Sequence, residues 1–203
     1  MRAGKQKVEI GVYGAATVLT LFGTVLCFAG LLIPHWYNTL ALNGTHVVGT
    51  ARLGLWQDEI CRNNTECQTY WLLDDSYVRD ENMVFPFWKL IQGIQTTGTA
   101  AAVLTLVMLV PFWKFFWSNR TILRLTTYSL FFGTSLIAAF LNVIGCLIIS
   151  SKGDIDDIDI APVLSGIGGA LFFISVGIAC AVCRFDSTYG TLENPVSPKF
   201  YQT

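Results

Sequence analysis

The stretch Thr127–Ile149, TYSLFFGTSLIAAFLNVIGCLII, decides the fold: 23 residues contain no Asp, Glu, Lys, Arg or His. A helix of that length reaches about 35 Å, against about 30 Å of bilayer hydrocarbon. A helix closes its backbone hydrogen bonds within one segment, so a run this long and apolar reads as a membrane span. Working outward in both directions, Gly11–Ile33, Leu90–Phe112 and Pro162–Cys183 are free of charge in the same way. The second of these four spans is the most polar, with Gln92, Gln95, Thr96, Thr97 and Thr99 in its first half. Such a stripe suits a helix whose polar side faces its neighbours; a surface amphipathic helix is the alternative. The chain thus divides into 1–10, span 11–33, 34–89, span 90–112, 113–126, span 127–149, 150–161, span 162–183 and 184–203. The fold class expected is all-α membrane, a four-transmembrane-helix bundle with a small extracellular antiparallel β-sheet.

Composition agrees with this reading. Hydrophobic residues make up 53% of the chain and charged residues only 13%, about half the charged share of a soluble domain. A net charge of −1 gives no field to gather polyanions, so no nucleic-acid partner is expected. The distribution of charge is more informative than its sum. With both termini inside, the inner segments hold Arg2, Lys5, Lys7, Lys114, Arg120, Arg124, Arg184 and Lys199 against Glu9, Asp186 and Glu193. The outer segments then carry five basic and eleven acidic residues. The excess of Lys and Arg on one side selects cytoplasmic termini. The 23-residue first span exceeds a typical signal-peptide core and reads as an uncleaved anchor. Aromatic residues cluster where spans should leave the bilayer: Trp36, Tyr37, Phe85, Phe87 and Trp88 outside, and Trp113, Phe115, Phe116 and Trp117 inside. They read as interfacial belts. Small residues four apart, such as Gly98/Ala102 and Ser165/Gly169, let helices approach closely.

The long first outer loop is the ectodomain candidate. Thr39–Leu42 and His46–Leu53 flank Asn43-Gly44, a pair that tolerates the positive φ of a tight hairpin turn. A second hairpin is expected through Cys61 and Cys67, with Asn63-Asn64 near its tip and Thr69–Leu72 continuing a strand. Ser150–Ala161, in the second outer loop, is a candidate edge strand. Of six cysteines only Cys61 and Cys67 fall outside, and five intervening residues allow a hairpin to bring them into disulfide range. Cys27 and Cys146 fall within spans as small apolar packing residues. Cys180 and Cys183, beside Arg184, are candidates for palmitoylation, with simple packing the alternative. Sequons stand at Asn43, Asn63 and Asn119; under this topology only Asn43 and Asn63 face the glycosylating side.

Enzymatic chemistry is not expected. His35 and His46 are the only histidines, neither has a second ligand at metal-binding spacing, and no phosphate loop, nucleophile elbow or dinucleotide fingerprint occurs. The run Asp154-Ile155-Asp156-Asp157-Ile158-Asp159 lacks the glycine and terminal glutamate of a calcium loop and reads as a solvated acidic segment. No metal and no cofactor is predicted. Asn142, mid-span, reads as an interhelical hydrogen-bonding residue.

Trp36, then Gly54-Leu55-Trp56, then Cys61 and Cys67, in the first outer loop of a four-span chain, resemble the W-GLW-C-C signature of the claudin and peripheral myelin protein/epithelial membrane protein superfamily. The resemblance implies a left-handed four-helix bundle topped by a small antiparallel sheet, with Cys61 and Cys67 bridged between strands and Gly54-Leu55-Trp56 tucked into the outer mouth of the bundle. Departures exist. Four residues separate Trp56 from Cys61 where claudins commonly have two, and the five residues between the cysteines are few. Gln95 stands in the place of the arginine that claudins carry at the start of the second span, and Phe200-Tyr201-Gln202-Thr203 lacks the terminal hydrophobic residue a PDZ groove takes. The function implied is a plasma-membrane tetraspan that organises cell–cell contacts or junctions. It would associate laterally with membrane proteins and, in trans, with a neighbouring cell. An auxiliary, gamma-like subunit of an ion channel or receptor is the alternative. By the same resemblance, first-loop acids such as Asp74, Asp75, Asp80 and Glu81 would set a preference for cations in a paracellular path. Tyr189-Gly190-Thr191-Leu192 matches a tyrosine-based sorting signal.

Overall fold

The computed structural model describes residues 2–43, 46–62, 66–74, 87–116, 121–152 and 157–193. Four long helices dominate: α1 (Arg2–Leu32), α2 (Trp88–Phe116), α3 (Thr121–Lys152) and α4 (Ile160–Glu193). Each contains one of the apolar segments, over Ile10–Leu32, Trp88–Lys114, Leu125–Ser151 and Ile160–Ala181, long and apolar enough to cross a membrane. Their outward surfaces stay greasy: Phe22, Val25, Val110 and Leu147 are more than half exposed. Apolar exposure on this scale suits a lipid solvent and not water. The protein is a multi-pass membrane protein in its architecture.

The helix ends have local causes. α1 stops before Pro34, which disfavours helical backbone at Ile33. At the start of α4, Asp159 Oδ1 accepts the Ile160 N–H at 2.7 Å and the His35 carbonyl accepts the Ala161 N–H at 2.9 Å. Pro162 follows, with no N–H to satisfy. Helix α1 packs along α4, α2 along α3, and α3 along α4. The α1–α4 seam is tight because it is built of small residues. A Cβ on Gly168 would meet Cys27 Sγ at 2.7 Å and the Gly23 carbonyl at 2.8 Å.

Four strands, β1 (Tyr37–Asn43), β2 (His46–Leu53), β3 (Gln57–Arg62) and β4 (Glu66–Trp71), form an antiparallel sheet in the order β1-β2-β3-β4. Both expected hairpins are present, the first longer at its start than the sequence suggested. Among the described residues the second outer loop contributes a single antiparallel bridge, Ile158 to Tyr37, in place of the expected edge strand. Asp159 N–H goes instead to the Trp36 carbonyl, and the Asp159 side chain accepts from the start of α4.

Three buried layers fill the molecule. At the end away from the sheet Tyr13, Leu109, Phe112 and Phe131 form a cluster in which Phe112 lies edge to face with both Tyr13 and Tyr128. Cys27, Ala102, Ala138, Ala139 and Phe172 fill the middle. At the outer end Leu31, Trp88, Ile91, Ile149 and Ala161, one or two from each helix, meet Trp36, Ala51, Leu53 and Leu55 of the sheet and its connections. Sheet and helices therefore share one core, and the start of α1 and the end of α4 lie at the end away from the sheet.

Candidate functional site

The junction between sheet and bundle is built by the carbonyls that α1 leaves without helical partners at its C-terminus. Ile33 N–H makes the last helical bond, to the Ala29 carbonyl at 3.0 Å; beyond it Trp36 Nε1 donates to the Gly30 carbonyl at 2.5 Å, and the Gln57 side-chain amide donates to the Leu32 carbonyl. Trp36 is fully buried. It is a keystone between α1 and the sheet, and not a belt residue; Trp88 is likewise buried, whereas Phe87 faces outward. Hydropathy cannot separate these cases, because an aromatic at a span end serves either purpose.

Gly54, Leu55 and Trp56 form the turn between β2 and β3. Gly54 N–H is shared by the Gln57 carbonyl at 2.9 Å and Asp58 Oδ1 at 3.2 Å. A side chain at Gly54 would run into the Gln57 carbonyl and Pro34 Cα, so close approach of backbones requires glycine here. Leu55 is fully buried among the helix ends, and its carbonyl accepts from Gln92 Nε2 of α2 at 2.9 Å. Trp56 is half-buried against the same cluster, and its carbonyl accepts the Leu72 N–H at 3.0 Å.

Cys61 and Cys67 face each other across β3 and β4 and are joined in a disulfide. Cys61 is buried and Cys67 exposed. Glu59 lies near both sulfurs, but sulfurs bonded to each other offer no thiolate to a cation.

A string of charged groups ties the sheet to the second outer loop. Arg52 donates to Glu59 Oε2 at 3.0 Å; His35 Nε2 faces the same oxygen at 3.9 Å; and His35 Nδ1 lies 3.0 Å from Asp159 Oδ2. Tyr37 OH adds a bond to Asp157 Oδ2 at 3.2 Å. These contacts change the reading of the outer acids. Asp58 is buried under the Gly54 turn, and Glu59, Asp157 and Asp159 have structural partners. Glu66 and Asp74 are exposed.

Inside the bundle, sequence reading of Asn142 as interhelical glue meets a wider network. Ser165 Oγ lies 2.6 Å from Gln95 Oε1 and 3.0 Å from Asn142 Oδ1, Gln95 Nε2 donates to the Asn142 carbonyl at 3.0 Å, and Asn142 Nδ2 donates to the Ala138 carbonyl at 2.8 Å. All three side chains are fully buried and join α2, α3 and α4. Ser175 donates to the Ala16 carbonyl at 3.0 Å and meets Thr20 at 3.1 Å, joining α1 to α4. Sequence reasoning took Ser165 only as a small packing residue and missed Ser175; small hydroxyls in spans are usually satisfied by their own helix.

The remaining candidate residues are placed as follows. Asn43 ends β1, opposite His46. Cys180 is exposed on α4; the backbone of Cys183 and of Tyr189–Leu192 lies in the helical continuation of α4. Asn63, Asp75, Asp80, Glu81 and Asn119 lie outside the described residues. Comparison with protein-family models and with curated proteins gives no match for this sequence.

Proposed function

We propose that this chain is a claudin-like, non-enzymatic tetraspan of the plasma membrane, with both termini cytoplasmic, that organises cell–cell contacts. The observation that carries this reading is the shared core of sheet and helix ends: Trp36 and Leu55, both fully buried, connect the sheet to all four helices. A sheet held so firmly is a preorganised platform, which lowers the entropic cost of contact with a partner. The apolar outer faces of the helices leave lateral association within the bilayer as the second contact direction. The buried polar side chains of the helices are neutral among the described residues, which suits a scaffold better than a carrier of charge across the membrane.

Freeze-fracture imaging of cells that express this protein alone tests the proposal. Intramembranous strands at cell contacts are the expected result. Dispersed particles with no strands would refute the contact-organising role and favour the auxiliary-subunit function.

A further inference from the structure

The sheet carries a polarity step along β4. Glu66, Gln68 and Thr69 at its far end are exposed and polar, whereas Trp71 at its near end is 49% exposed and Leu73 in the following turn is 76% exposed. The turn is pinned, with Leu72 N–H on the Trp56 carbonyl at 3.0 Å and Asp74 N–H on the Trp71 carbonyl at 3.1 Å. The depth of this end is set by the fold. Trp71 pairs with Gln57, and the Gln57 side chain reaches the carbonyl of Leu32, the last residue of α1. Trp71 therefore stands one strand spacing, about 4.8 Å, from a residue fastened to the end of a membrane-spanning helix. Leu32 itself, and Phe87 and Leu90 at the outer end of α2, are exposed as well.

From this we infer that Trp71 and Leu73 seat the sheet on the outer leaflet, with the indole among the lipid head groups and Leu73 at the boundary of the acyl chains. The occupant is lipid and not a second copy of the chain. A strand-to-strand partner would run the length of β4, but the apolar surface is confined to the end whose partner residue, Gln57, is fastened to the end of α1. Tryptophan suits that level, since its ring favours the apolar side and its N–H the wet side. The inference rests on the four helices crossing a bilayer.

The test uses the full chain in phosphatidylcholine vesicles. The emission of wild type minus that of Trp71→Phe isolates Trp71. Lipid brominated near the head group should quench most of this difference, and aqueous iodide little of it. Leu73→Trp in the Trp71→Phe background should give a new emission quenched by the same lipid. Quenching by iodide alone would show both side chains in water, and quenching by neither would show them covered by protein; either result overturns the inference. Phe22→Trp, on the exposed face of α1, should be quenched by lipid brominated deep in the chain. Its failure would remove the membrane placement and the inference with it; its success alongside a negative result at Trp71 and Leu73 would remove the inference alone.

Discussion

Trp36 Nε1 and the Gly30 carbonyl are 2.5 Å apart, so a residue outside α1 closes the last turn of the helix it follows. The bond fixes the angle at which the chain leaves α1, and the buried ring then supports Leu53 and Leu55. Trp36→Ala should cost about 3–5 kcal/mol, the usual loss for an aromatic in a packed core. Trp36→Phe should cost less, about 1–3 kcal/mol, mainly from the Gly30 carbonyl left without a donor. Thermal unfolding in detergent micelles measures both. Wild-type midpoints for the alanine variant would remove the keystone role.

The Cys61–Cys67 bridge closes a short hairpin whose outer strand is exposed along most of its length. Chain entropy gives it about 2 kcal/mol. Cys61→Ser with Cys67→Ser should lower sheet stability by that amount and leave the helices folded. Amide exchange in β3 and β4, compared with that in α2 and α3, reports the difference; equal loosening of both regions would mean the bridge acts globally.

The Gln95–Ser165 contact at 2.6 Å should couple the two residues energetically. Gln95→Ala leaves Ser165 Oγ with Asn142 Oδ1 alone and Ser165→Ala strands Gln95 Oε1, so a double-mutant cycle should return about 0.6 kcal/mol, the mean for polar contacts between membrane helices, and no more than about 1.7 kcal/mol. Additive losses would show that each side chain finds another partner within its own helix.

Tags at either terminus should be reached by antibody only after permeabilisation, and glycan should be found on Asn43 or Asn63 but not on Asn119. Staining of intact cells at either end is incompatible with cytoplasmic termini. A glycosidase-sensitive shift that persists in Asn43→Gln/Asn63→Gln would likewise place the wrong loop outside.

Asp74, exposed after β4, and its neighbour Asp75 should favour cations if the proteins of adjacent cells enclose a path. The screening range is about 8 Å at physiological salt, so the effect belongs to a narrow cleft. Dilution potentials across a monolayer should show cation preference for wild type and a weaker one for Asp74→Asn/Asp75→Asn. Identical potentials would leave these acids without a role in selectivity. Glu59 and Arg52 cancel each other locally, so the outer excess of six negative charges counted along the sequence rests on the remaining acids.

The sequence by itself determined the four helices and the two hairpins. Charge-free runs of membrane length, Pro34 after the first, and the Asn43-Gly44 turn pair are local signals, because hydrogen bonding, solvation and turn geometry act within a segment. Pairing of Cys61 with Cys67 was legible for the same reason, since six positions along a hairpin lie opposite each other. Tertiary structure decided which polar and aromatic residues are used, and for what. Trp36 and Trp71 are the same letter in the same loop, yet one is fully buried on the Gly30 carbonyl and the other half exposed at the end of β4. Ser165 became a bridge only because α4 brings it to Gln95 of α2, 70 positions away. Asp58 and Asp74 carry the same charge, but the first is buried beneath the Gly54 turn and the second is exposed. Burial and partnership are properties of distance in space, and a linear pattern carries no term for contacts between segments that fold apart and meet later.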